Sequence, residues 1–181
     1  MSRRRLWIWL LVLVGLGAAG AVGRLVNLRQ PAPLRYRVDL AEKGRPLRTI
    51  TVFYVDEGSL ALVPRQREIL AGRPARLMAD DLVTYLTLEP EGCLAPIPAG
   101  ANLLHVFISD GGEATLDFSA EIESGEGAGI LEDRQKLLAL ARTMVENLDG
   151  VDRIRLLVLG RPLERWGTHL ALGPGGNVDV P

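Results

Sequence analysis

Cysteine occurs once in the 181 residues and histidine only twice, and aromatic residues make up 5% of the chain. A lone Cys93 cannot close an intramolecular disulfide, so the fold must be held by its core. His105 and His169 have no partner at the H-x-x-x-H or C-x-x-C spacings that hold zinc, and neither a metal nor any other cofactor is expected. No cysteine directly follows the N-terminal apolar run, Cys93 lying far downstream, so a lipoprotein anchor is not expected. Positive charge is also scarce after the first segment. Of 21 basic residues, five arginines precede residue 31, leaving 16 against 22 acidic ones, a net charge of −6 for residues 31–181. That balance disfavours nucleic acid, whose phosphates require a basic face.

What the chain does have is an export signal. Arg3, Arg4 and Arg5 precede a charge-free stretch from Leu6 to Gly23, and Arg24 closes it. Arginines stay cytoplasmic, so this order sends the remainder outward. Eighteen helical residues rise about 27 Å, a short span of a hydrocarbon core of roughly 30 Å. Trp7 and Trp9 fall at the headgroup level, where amphipathic rings are favoured. Residues 1–24 thus read as a signal anchor, a transmembrane segment in contact with lipid. The expected location is the cytoplasmic membrane, single-pass, with the C-terminal domain on the extracytoplasmic (periplasmic) side. A cleaved signal peptide, using Ala19-Gly20-Ala21, is the competing reading. Residues 25–47, basic and punctuated by Pro31, Pro33 and Pro46, read as a linker.

From Arg48 the pattern becomes regular. β-Branched and aromatic residues from Thr49 to Val55 predict a strand, Asp56-Glu57-Gly58-Ser59 a turn, and Leu60–Ile69 a partner strand with Pro64 at an edge or break. Pro74 opens a helix whose Met78, Leu82 and Tyr85/Leu86 share one face. Glu89-Pro90-Glu91-Gly92 stops it, and Cys93–Asn102 reads as an irregular loop. Leu103–Ser109 and Glu113–Phe118 form a hairpin about Asp110-Gly111-Gly112. After a Gly/Glu-rich loop, Leu137, Ala141, Met144 and Leu148 align on a second helix over 131–148. Glu132–Lys136 and Arg142–Glu146 are its expected surface pairs. Arg153–Leu159 is a strand, Leu163–Trp166 a short one, and 173–181 a flexible tail. The expected fold class is α+β, a two-layer sandwich with two helices packed on one face of a mainly antiparallel sheet.

Five segments, in order, resemble GerMN domains, a family named for sporulation and spore germination. Leu94-Ala95-Pro96-Ile97-Pro98-Ala99-Gly100 through Leu104 is similar to its "sPlPeGtrll" loop. Asp110-Gly111 through Ala114-Thr115-Leu116-Asp117-Phe118-Ser119 is similar to its "dGvaTvDlS" hairpin. Leu138–Leu148 with Gly150-Val151-Asp152-Arg153-Ile154-Arg155 resembles its helix and "GVkrVrilvdG" strand. Gly160-Arg161-Pro162 with Gly167-Thr168-His169-Leu170, and the first hairpin, complete the match over residues 48–172. The resemblance implies a non-catalytic, extracytoplasmic envelope module, tethered to the membrane and akin to ring-building domains.

Catalytic constellations are sparse. His105, Asp117 and Ser119 suggest a hydrolytic triad, but no nucleophile-elbow pattern surrounds Ser119. Asp80-Asp81 and Glu121, Glu123 and Glu126 supply carboxylates without any sign of the cleft that glycan cleavage needs, and the adjacent aspartates on a helix are expected to face water. Gly125-Glu126-Gly127-Ala128-Gly129 lacks the lysine of a nucleotide loop. No catalytic, metal or cofactor-binding residue is expected, and the chain is not read as an enzyme. Two functions remain: an interaction or assembly module binding envelope proteins or itself, and a peptidoglycan-binding accessory to a cell-wall enzyme. For the second, Trp166 is the best candidate for stacking on a glycan.

Overall fold

A computed structural model describes residues 46–124, 129–167 and 170–178. The expected anchor, most of the linker, Glu126 and His169 lie outside the described residues. Among the described residues no helix is long and apolar enough to cross a membrane.

The domain is α+β. In chain order it runs β1 (Leu47–Asp56), β2 (Leu62–Leu70), α1 (Ala75–Leu86), β3 (Cys93–Leu94), β4 (Leu103–Ile108) and β5 (Glu113–Phe118). A 3-10 turn (Ala120–Ser124) and α2 (Ile130–Asn147) follow, then β6 (Arg153–Val158), β7 (Arg161–Pro162), β8 (Arg165–Trp166), β9 (Leu170–Ala171) and β10 (Asn177–Val178). Rather than one sheet, the strands form three: β2-β1-β3, β10-β6-β5-β4 with β7 also on β6, and the pair β8-β9. All pairings are antiparallel except β5–β6, which the α2 crossover makes parallel. Such a crossover is the only short way to bring two consecutive strands parallel.

β1 holds the core together because both of its faces are buried. Ile50, Val52 and Tyr54 point into the main cluster with Leu82, Leu86, Leu116, Phe118, Leu140, Met144, Ile154 and Leu156. Phe53 and Val55 point the other way, against Ala139, Leu62 and Leu94. A strand buried on both faces reads as a continuous apolar run, which is what residues 52–55 are. The expected helix stripe Leu137, Ala141, Met144 and Leu148 is buried in the main core, as are Met78, Leu82 and Leu86 of α1.

A second stripe on α2 was not evident from apolar spacing. Ala139, Thr143 and Asn147, four residues apart, lie along the edge of β1 that β2 leaves open. The Phe53 N–H donates to Thr143 Oγ1 (3.0 Å). The Thr51 N–H donates to Asn147 Oδ1 (3.0 Å), and Asn147 Nδ2 donates to the Thr51 carbonyl (2.7 Å) and the Thr143 carbonyl (2.7 Å). The asparagine amide thus replaces the donor and acceptor of a neighbouring strand, and buried main-chain groups are satisfied by a helix. The same bonds show that Thr51 and Phe53 turn away from β2. Phe53 faces Pro64 in register, so the amide proton that Pro64 lacks would have pointed to solvent, where its absence costs no ladder bond.

Three expectations change. Cys93 is a buried residue of β3, paired opposite Asp56, not part of an irregular loop. Arg142 lies over the Phe53 ring at 5.0 Å rather than serving Glu146, whereas Glu132–Lys136 is present at 2.6 Å. The hairpin after β4 places its left-handed residue at Gly112 (φ +80°), with the Gly112 N–H on the Ser109 carbonyl (3.1 Å). It is a three-residue loop over Asp110-Gly111-Gly112, where the sequence places the turn. The segment from Gly173 is not a frayed tail as far as it is described. Gly173–Gly176 turns the chain so that β10 pairs with β6 and Val178 is buried. Gly176 (φ +82°) packs so closely that a Cβ there would meet the Leu156 carbonyl oxygen at 2.2 Å. Glycine makes this return possible; its abundance in the segment had pointed to disorder.

Candidate functional site

The residues singled out in the sequence do not converge. His105 on β4 faces Asp117 on β5 in register. Asp117, however, is buried and its Oδ1 accepts the Gly160 N–H (2.9 Å), while Ser119 Oγ accepts the Asn102 N–H (3.0 Å). Each side chain thus fixes a different loop, and among the described residues no hydrogen bond links the three. Asp80 is exposed, but Asp81 is buried and paired with Arg73 rather than facing water. Glu121 is exposed on the 3-10 turn, and the Ser119 hydroxyl holds its carboxyl below the usual range. Among the described residues no cluster of three metal-ligating side chains occurs. Trp166 is 5% exposed, packed into the main core. Its indole stabilises the domain from within and presents no stacking face to a glycan.

Two surface features remain. The first is a crevice of about 600 Å³ beyond the C-terminal ends of the parallel pair β5–β6, lined by Glu123, Val158, Leu159, Arg161, Glu164 and Arg165. Its lip is the β6–β7 turn, where Leu159 (φ +50°) and Gly160 (φ +76°) are both left-handed. That is the geometry of a two-residue type I′ turn, in which a leucine is unusual. The Asp117 carboxylate on the Gly160 N–H holds the turn in place. The walls carry charge of both signs.

The second is the open face and edge of the β4–β5–β6 sheet. Period two sends Val106, Ile108, Ala114, Leu116, Ile154 and Leu156 inward, and His105, Phe107, Thr115, Arg153, Arg155 and Leu157 outward. The charged part of the outer face is paired within itself. Glu113 Oε2 meets Arg155 (3.3 Å) and Arg153 (3.7 Å), and Arg153 also donates to the Gly111 carbonyl (2.8 Å). Arg155 Nε donates to Asn177 Oδ1 (3.2 Å). The β4 row is different. Phe107 is 67% exposed, the most exposed large apolar side chain described, and His105 is exposed beside it.

β4 is also the end strand of its sheet. The Ser109 N–H donates to the Glu113 carbonyl (2.9 Å). By alternation, Phe107 and His105 also turn their main-chain groups to β5, and those of Val106 and Ile108 face outward. Leu103-Leu104-His105-Val106-Phe107-Ile108 contains no proline, lysine or other formal charge. Natural edges are normally blunted by such residues. The other long edge of the domain, β2, follows that rule with exposed Pro64, Arg65 and Glu68. The free side of β1 is closed by Thr143, Asn147 and β3. β4 has no such blunting residue; its one interruption is a β-bulge between Leu103 and His105, which leaves the stretch from His105 to Ile108 as an uncharged edge. Alternation marks β4 as a strand but not as an edge, because edge position depends on sheet order.

Residues 51–164 match the family model described as "Germane: Sporulation and spore germination". The fold is similar to the tandem GerMN domains of the sporulation protein GerM from Bacillus subtilis, with a TM-score of 0.58 and 17% identity, covering 74% of this chain and 46% of that one. It is similar to the first GerMN domain of the same protein, with a TM-score of 0.57 and 20% identity, covering 71% of this chain and 96% of that one. This chain therefore spans about half the length of the tandem structure. At these identities the likeness is one of fold. No curated protein matches the chain.

Proposed function

The chain belongs to the Germane family of sporulation and spore-germination domains, and on that premise we propose that it is a membrane-anchored, non-catalytic interaction and assembly module on the extracytoplasmic side of a bacterial envelope. The apolar run from Leu6 to Gly23 behind three arginines supports the anchor and its orientation. Residues 25–47 are the spacer. We read the domain as two layers, α1 and α2 on one side of the strands, which leaves the outer face of β4–β5–β6 for partners.

The observation that carries the reading is the uncharged β4 edge beyond its bulge, with Phe107 exposed on it. An open strand with an exposed aromatic is a template for main-chain pairing, and binding by strand addition uses that combination. The bonds on Asp117 and Ser119 support a non-catalytic role, since both side chains serve as fasteners for loops. Partners are envelope proteins or further copies of the chain.

The mixed-charge crevice favours the second reading, a peptidoglycan-binding accessory. Arginines and glutamates together suit a wall peptide that carries both ammonium and carboxylate groups. Two retention experiments separate the readings. With full-length chain in native membranes, a photo-crosslinker at position 107 is expected to join protein, while sedimentation with purified sacculi is expected to retain little. Strong retention on sacculi that Arg161→Ala and Arg165→Ala abolish, with nothing joined at 107, would establish the accessory instead.

A further inference from the structure

We propose that β4 is a self-pairing seam: two copies of this chain join antiparallel through their β4 edges about a two-fold axis at Val106, making one continuous sheet. The inference rests on the assembly reading and specifies its surface.

The occupant follows from the strand's own composition. In an antiparallel pair centred on Val106, Val106 meets its counterpart and its outward groups supply the central pair of hydrogen bonds, while Ile108 falls opposite Leu104, at the bulge that ends the seam. On the outer face, Phe107 falls opposite His105 of the second copy, and His105 opposite Phe107. Aromatic cross-strand neighbours of this kind stabilise sheets. A β-bulge between Leu103 and His105 ends the regular register, so the seam spans residues 105–107 with Ile108 at its margin, and no charged residue falls within it. Like charges directly opposed destabilise a pair. The half-buried Val106 and Ile108 pack against the main core, and Val106 of a second copy would extend that apolar row.

One strand pair buries little, well below the area of a stable soluble dimer. The seam therefore needs help from concentration. Two copies anchored in the same membrane meet at a high effective concentration, which converts a weak contact into a populated one. The seam is expected to be weak in dilute solution and strong on a surface.

The register gives the test. Residues 105 and 107 of opposite copies form a pair whose Cα atoms lie about 4.5 Å apart, within disulfide reach. Two copies of residue 107 lie diagonally, roughly 8 Å apart and beyond that reach. The full-length chain, with Cys93→Ala to remove its own thiol, is placed in phosphatidylcholine vesicles and oxidised with copper phenanthroline. His105→Cys and Phe107→Cys proteins mixed together are expected to give several-fold more covalent dimer than either alone. Phe107→Lys, which places charge on an already exposed position, is expected to abolish the association that light scattering reads in the otherwise unaltered full chain. If the chain associates but the mixed pair joins no better than the single variants, the seam is wrong and the assembly reading survives through another surface. If a photo-crosslinker at position 107 joins a different protein in native membranes while no 105–107 joining occurs, the edge binds a foreign strand and the two-fold pairing is overturned. If the full chain stays monomeric in the vesicles, seam and self-assembly fall together.

Discussion

Asn147→Ala should unfasten β1 from α2. Asn147 is buried and makes three bonds, two of them to the main chain of Thr51. Its removal leaves the Thr51 N–H and C=O without partners at a half-buried position that water can partly reach, so each costs about 1 kcal/mol, the low end for such groups. The lost side-chain volume adds about 1 kcal/mol, and alanine's better helix propensity returns about 0.5 kcal/mol. The net loss is about 2–3 kcal/mol, to be read by urea unfolding of a fragment covering the compact unit Glu42–Pro181. Asn147→Asp is the sharper variant. Its carboxylate keeps the Thr51 N–H but faces two carbonyl oxygens, so at neutral pH it should cost more than alanine. Burial against those carbonyls raises the folded pKa above the unfolded value. Its stability is then greatest at acid pH and declines as pH rises from about 4 through the folded value. An alanine cost below about 0.5 kcal/mol, or an aspartate no worse than alanine at pH 7, would refute the view that helix side chains complete this strand.

Other predictions follow the same geometry. Leu159→Asn gives the β6–β7 turn an Asn-Gly pair suited to type I′, and a gain of about 0.5–1 kcal/mol is expected in thermal unfolding, since the leucine is largely exposed. Gly176→Ala forces a Cβ onto the Leu156 carbonyl; a loss above about 2 kcal/mol with faster hydrogen exchange in β10 is expected, and an unchanged melt would contradict the packing. Trp166→Ala should cost about 3–5 kcal/mol as a core truncation and, in folded molecules at low temperature, leave glycan retention unaltered. Tyr54, whose hydroxyl donates to the Tyr85 carbonyl (2.8 Å), has its pKa raised by burial. Stability should therefore be retained below about pH 10 and fall as pH rises through the folded value, and Tyr54→Phe should remove this alkaline step in a spectroscopic titration.

What was legible in the sequence was whatever depends on local periodicity. β1, β2, β4, β5 and β6 and the core stripes of both helices follow from alternation and from spacings of three and four, and they lie where those patterns place them. Contacts made by polar atoms at a distance were not legible. Thr143 and Asn147 looked like ordinary helix residues because their partners stand 90 and 96 positions earlier. A small-and-polar stripe at i, i+4 and i+8 on an otherwise apolar helix is the signal that could have exposed them. Asp81 looked solvated because the sequence cannot show that Arg73 folds back onto it. Trp166 looked available for binding because a two-residue strand carries too little pattern to reveal its inner face. The β4 edge was hidden for a related reason: hairpin signals specify neighbours, whereas only the parallel β5–β6 pairing puts β4 on the outside.

The most direct test of the assembly account is the solution mass of residues 31–181, without the apolar run, across a concentration series. The account predicts reversible growth beyond the monomer at the highest concentrations, lost in Phe107→Lys. A strict monomer at every concentration that instead binds purified sacculi would contradict it.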